Sequence, residues 1–239
     1  PRVAALLTLA VEHGRSLILA ADPPGAGKTT ILTALFAFAR PDASVYFTRG
    51  WGETFRLPPI EGDAPTFLLI NEISDHLPVY SWGPYVQRAF ELAAEGYPLL
   101  STMHADTVEG VIDQLVEECD VPEGLVGHLA FAVPLHIGLG PGGQRVRRVS
   151  EVAVLAPLGG SYERCTVARW EPADDRFDVL STPAQINATA RRLGLTDAEF
   201  LAEFARRESF LAKLLLDNVT AMEAVQRRVF EDAGYTLID

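Results

Sequence analysis

Lys28 is one of only two lysines among 20 basic residues, and it stands in Gly25-Ala26-Gly27-Lys28-Thr29-Thr30. A short apolar run, Ser16–Ala21, leads through Asp22-Pro23-Pro24 into this stretch, and a helix rich in Ala, Leu and Phe is predicted over Lys28–Ala39. Strand, glycine turn and helix in that order make a phosphate loop. The glycines let backbone N–H groups turn onto an anion, and the helix start adds unpaired donors and a positive dipole end. Lys28 can reach β- and γ-phosphate oxygens, and the Thr29 hydroxyl can ligate Mg²⁺. The expected nucleotide set is therefore Pro24, Gly25, Ala26, Gly27, Lys28, Thr29 and Thr30, with Mg²⁺ on Thr29. The full pattern has glycine at its first position, where this chain has Asp22. That carboxylate must be tied down or turned away from the phosphates.

Phosphate loops work with an acidic residue at the end of a neighbouring strand. Phe67-Leu68-Leu69-Ile70-Asn71-Glu72 supplies one, because four apolar residues deliver Glu72 to a strand's carboxyl end. A further predicted strand, Pro98–Met103, runs into His104-Ala105-Asp106-Thr107. Taken alone, His104 reads as a hydrogen-bonded histidine at a strand end, and Glu72 as a surface or capping acid. Their order after a phosphate loop is what gives them chemistry. His13, His76, His128 and His136 match no pattern and receive no role.

The elements that must position these groups alternate. Helices are expected over Val3–Glu12, Val86–Glu95 and Val108–Glu118, and strands over Val45–Thr48 and Thr66–Ile70, which predicts a mostly parallel sheet with covered faces. After Val133 the style changes. Leu135–Leu139 and Arg145–Leu155 flank Gly140-Pro141-Gly142-Gly143 as a hairpin, and Tyr162–Trp170 and Arg176–Leu180 continue it. Beyond Pro183 the chain reads as helical over Ala184–Leu193, Asp197–Leu216 and Thr220–Ala233. Thr196 and Glu199 are placed as a capping box, and Gly194 and Gly234 stand at expected helix stops. The expected division is a nucleotide-binding core over 1–180 and a helical subdomain over 181–239. Phe200, Leu201, Phe204, Leu211, Leu214 and Leu215 fall at near-helical spacing, one apolar face.

Composition bounds the rest. A chain of 239 residues with 48% hydrophobic and 22% charged residues is globular, neither fibrous nor disordered. Its formal charge of −12 argues against a general nucleic-acid binder, which needs a surplus of Lys and Arg. The longest apolar runs fall far short of the ~20 residues of a bilayer span. Cys119 and Cys165 form neither a disulfide framework nor a metal knuckle, and no charged-then-apolar leader opens the sequence. The expectation is a cytoplasmic protein.

A phosphate loop, an apolar strand ending in a lone Glu, and Ser101-Thr102-Met103-His104-Ala105, in that order, resemble the secretion ATPase superfamily of type II and type IV secretion, pilus and archaeal flagellar motors. The segment Arg147-Arg148-Val149-Ser150-Glu151-Val152 and the helices from Phe200 onward extend the resemblance over nearly the whole chain. It implies a RecA-like P-loop domain with an antiparallel extension and a C-terminal helical subdomain. It further implies that Lys28 and Thr29 bind phosphate and Mg²⁺, that Glu72 activates water, and that His104 contacts the γ-phosphate region. The implied partners are ATP and either copies of the chain or secretion and pilus machinery at the inner face of the cytoplasmic membrane. Three positions depart from the family: Asp22, Ser74 after Glu72-Ile73, and an acidic box replaced by Phe47-Thr48-Arg49-Gly50-Trp51-Gly52-Glu53, where Glu53 is off register and carries no role over. Family members also place an arginine-donating domain upstream, and only about twenty residues precede the loop here. The expectation is a slow ATPase, with a catalytically weak, nucleotide-sensing regulator as the alternative. A third reading, a small-metabolite kinase, finds no recognisable lid or acceptor site in this sequence, and the His104 segment speaks against it.

Overall fold

The computed structural model describes residues 1–22, 24–140 and 143–234. Pro23, Pro141, Gly142 and residues 235–239 lie outside the described residues, and with them the tip of the expected glycine hairpin. The sheet runs in the order β2-β3-β4-β1-β5-β7-β8-β9, with β6 joined to β5. Its parallel half consists of β2 (Ser44–Phe47), β3 (Thr66–Leu69), β4 (Leu99–Met103), β1 (Leu17–Ala20) and β5 (Phe131–Leu139). The antiparallel half adds β6 (Arg145–Val149), β7 (Glu151–Leu158), β8 (Ser161–Glu171) and β9 (Arg176–Val179).

β1 is buried at every position, and its alternating side chains feed two cores. Leu17 and Leu19 face one cluster with α1 (Arg2–Glu12) and α2 (Lys28–Phe36). Ile18 and Ala20 face the other, with α3 (Pro84–Glu95) and α4 (Val108–Asp113). Covered on both faces, the strand reads as a continuous apolar run.

Some elements differ from expectation. The helix after the phosphate loop stops at Phe36, because Ala37, Phe38 and Ala39 tighten into three-residue hydrogen bonds ahead of Pro41. Val108–Glu118 begins as α4 and widens into a π-helical turn over Gln114–Glu118. A short helix, α5 (Glu123–Val126), follows it. Arg145–Leu155 is two strands. β6 pairs with β5 as Leu135↔Val149, whereas β7 pairs with it as Ala132↔Ala153, so the register slips by one residue at Ser150. That residue is a bulge, held by its N–H and its hydroxyl, each donating to the Pro134 carbonyl at 2.9 Å.

The tail folds as α6 (Pro183–Leu193), α7 (Asp197–Leu216) and α8 (Met222–Asp232). The Thr196–Glu199 capping box forms, and a second one, Thr182–Gln185, starts α6. The anticipated apolar face of α7 divides: Phe200, Phe204 and Leu214 are buried, whereas Leu201 and Leu215 are exposed. Arg207, also on α7, is buried. It pairs with Glu12 of α1, and its guanidinium lies 5.3 Å from the Phe38 ring centre and 5.9 Å from that of Phe210. Among the described residues no helix is long and apolar enough to cross a membrane.

Candidate functional site

β1, β3 and β4 lie side by side and parallel, so the three segments singled out in the sequence leave the sheet at one edge. β1 exits into the phosphate loop. Gly25 (φ +80°) and Gly27 (φ +100°) occupy the left-handed region, where an L side chain would be strained. A Cβ added at either would meet nothing within 4 Å, so the backbone conformation, and not crowding, calls for glycine here. Gly27 is the N-cap of α2 and makes no side-chain cap bond. The first N–H groups of the helix are thus oriented for an acceptor from outside.

The Lys28 side chain is buried, and its ammonium donates to the Ala21 carbonyl at 2.7 Å. Burial pushes its pKa down, against the opposing field of Glu72, Asp22 and Asp106. Asp22 itself is exposed. Its backbone N–H donates to Asp106 Oδ1 at 3.0 Å, so the loop's entrance is tied to the segment after β4.

Glu72 is held by its neighbours in the chain. The Thr102 hydroxyl donates to the Asn71 carbonyl at 3.1 Å, and the Ile73 N–H donates to the Thr102 carbonyl at 2.8 Å. These bonds stitch the exit of β3 to Thr102 near the end of β4, two residues before His104. The His104 Nε2 stands 3.1 Å from Glu72 Oε1, and its Nδ1 stands 3.1 Å from the Asp22 carbonyl oxygen. Gln114, from the π-helical turn, donates its amide to the His104 carbonyl and fixes the backbone there. Each imidazole nitrogen faces an oxygen acceptor.

Glu53 does not join this cluster. It is buried and accepts from the Tyr46 hydroxyl at 2.7 Å and from the N–H groups of Arg49, Thr54 and Phe55 at 2.8, 2.7 and 2.6 Å. It organises the loop after β2. Two residues without a sequence-based role do reach the site. The His76 ring packs edge-on against His104, with centroids 5.8 Å apart. Arg147 Nε donates to the Gly25 carbonyl at 2.8 Å. Neither was discoverable from local spacing, because one depends on a loop's path and the other on strand register.

The residues present fit a nucleotide triphosphate. The loop offers glycine-permitted backbone, an uncapped helix start and a buried lysine at its base. Among the described residues no group of three or more His, Cys, Asp or Glu side chains is placed to hold a metal by itself.

No protein-family model matches the chain. Two uncharacterised proteins of Methanocaldococcus jannaschii are similar to it in sequence. One is 24% identical over 257 residues, which is 95% of this chain and 92% of the relative. The other is 26% identical over 196 residues, which is 73% of this chain and 35% of that protein. Three solved structures show limited similarity. The VirB11 ATPase of the Brucella suis type IV secretion system, in complex with sulphate, has 21% identity and a TM-score of 0.43, covering 61% of this chain and 50% of its own. The ATPase DotB of Legionella pneumophila has 14% identity and a TM-score of 0.41, covering 62% and 47%. The ATPase DotB of Yersinia pseudotuberculosis has 14% identity and a TM-score of 0.40, covering 94% and 60%. This chain therefore spans about half to three-fifths of the length of those solved structures.

Proposed function

We propose that this chain binds ATP with Mg²⁺ and hydrolyses it, as a subunit of the secretion ATPase kind. The observation that carries the reading is the convergence at one sheet edge: His104 stands between the Glu72 carboxylate and the entrance of the phosphate loop. Lys28 and the N–H groups of Gly25–Thr30 hold the phosphates, and the Thr29 hydroxyl faces Mg²⁺. Glu72 takes the proton of the attacking water, and His104 aligns that carboxylate and senses the terminal phosphate. Residues 1–180 are the nucleotide-binding unit and 181–239 the helical one. The working assembly is an oligomer of this chain or a joint assembly with secretion or pilus machinery at the inner membrane face, without nucleic acid.

Calorimetric titration of the parent and Lys28→Ala with ATP and Mg²⁺ tests the reading. The parent binds, and the alanine variant shows no detectable heat, because a charge-assisted contact to phosphate has no replacement. Equal affinity in the two proteins places the nucleotide elsewhere and overturns the proposal.

A further inference from the structure

The phosphate loop lies in a negative field. The charges acting on Lys28 are the carboxylates of Glu72, Asp22 and Asp106, and one lysine is a poor match for them together with a triphosphate. Among the described residues one arginine is hydrogen-bonded to this loop: Arg147, through the Gly25 carbonyl.

Its position there follows from the bulge at Ser150. In antiparallel pairs, residues opposite one another share a face. Arg147 stands opposite Ile137, which packs with Val133 and Leu135 on the side of the sheet covered by α1 and α2. Arg148 stands opposite His136, on the other face, where Asp175 accepts from its Nε and a terminal nitrogen at 2.8 and 2.7 Å and from the Trp170 indole at 2.9 Å. Extending the β7 register without the bulge would set Arg148 opposite Ile137 and turn Arg147 away. The single inserted residue selects which arginine meets the loop. Bulges beside sites commonly re-aim a side chain in this way.

From this geometry we infer that Arg147 is a charge-stabilising residue supplied by the same chain, which reads the terminal phosphate of a bound triphosphate. Its guanidinium donates to the Gly25 carbonyl, a weak acceptor. The side chain is exposed and held by one bond, so it is able to turn to a phosphate oxygen on the same loop. A guanidinium presents its donors as a planar fork that matches phosphate oxygens, so lysine is an incomplete substitute. Arginines supplied in cis play this part in other phosphate-loop enzymes.

The inference rests on the proposed ATP site, and the experiment separates the two. Affinities for ADP and for a non-hydrolysable ATP analogue are measured with Mg²⁺ by calorimetry in the parent, Arg147→Ala, Arg147→Lys and Arg148→Ala. The parent prefers the triphosphate. Arg147→Ala lowers affinity for the analogue about 10-fold or more, in the range of a lost charged hydrogen bond, and changes ADP affinity less than about 3-fold. Arg147→Lys falls between, and Arg148→Ala keeps the parent's preference. An unchanged triphosphate-to-diphosphate ratio in Arg147→Ala overturns the inference and leaves the ATP site standing, as does an equal loss for both ligands, which marks Arg147 as a loop strut. A parent that binds neither ligand overturns the ATP site and this inference with it.

Discussion

The Glu72 carboxylate and the His104 imidazole meet at 3.1 Å, at the mouth of the phosphate loop. They come from the ends of two adjacent parallel strands, and neither is near the other in sequence. The second nitrogen of the same imidazole reaches the Asp22 carbonyl, so one ring links the expected water-activating group to the entrance of the proposed phosphate-binding loop.

Glu72→Gln keeps the shape and removes the proposed base. ATP affinity is expected to stay within about 3-fold of the parent, because the loop's donors are intact, while phosphate release falls roughly 10²–10⁴-fold. Calorimetry and a phosphate-release assay on the same preparations check both halves. Equal release rates in parent and variant remove Glu72 from the chemistry.

Glu53 gives a contrasting result, since its four partners make it a scaffold for the loop after β2. Phe55, one of the donors, holds φ +49°, a strained value for a phenylalanine that the Glu53 contact helps to fix. Glu53→Gln is expected to cost about 1–3 kcal/mol in denaturant unfolding and to leave ATP affinity unchanged. Burial pushes the Glu53 pKa up, but the Tyr46 hydroxyl and the N–H groups of Phe55, Arg49 and Thr54 outweigh it, and the carboxyl stays below its ordinary value. A carboxylate depressed on folding stabilises above its unfolded pKa and loses that contribution as pH falls through the folded one. The gap between parent and variant is therefore widest near neutral pH and narrows in acid. A gap that does not depend on pH separates the loss from the charge.

The parallel half of the sheet was legible because its strands are short apolar runs with turn residues at their ends, and β1 is buried on both faces as such a run requires. The candidate residues could be picked out for the same reason: the phosphate loop, Glu72 and His104 come after the ends of β1, β3 and β4. Arg147 was not, since its reach depends on a slip of one residue at Ser150 that leaves no mark in hydrophobic alternation. Arg207 escaped notice because a buried guanidinium between two phenylalanines looks, in sequence, like any exposed helix charge. The apolar face expected on α7 overlooked that helix packing buries a stripe narrower than the run of leucines, so Leu215 remains outside.

Asp22 tests how far the departure from the first motif glycine matters. The structure ties this residue through its backbone: the N–H goes to Asp106 and the carbonyl to His104, contacts that a glycine retains. Asp22→Gly thus removes one negative charge beside the proposed phosphate site and leaves the loop's tethers in place. A unit charge a few ångströms from an anion in a water-like medium is worth about 1 kcal/mol, so the variant is expected to bind ATP about fivefold more tightly. The origin is electrostatic, and the gain should shrink as salt is raised toward 1 M, where charges are screened within about 3 Å. Asp106→Asn removes a charge as well, but it weakens the acceptor for the Asp22 N–H, so its gain is smaller than that of Asp22→Gly. Titrations of both variants at low and high salt decide the point. Weaker binding by Asp22→Gly would mean that the carboxylate helps to hold the loop or the metal, and a gain insensitive to salt would point to backbone freedom at position 22 in place of charge.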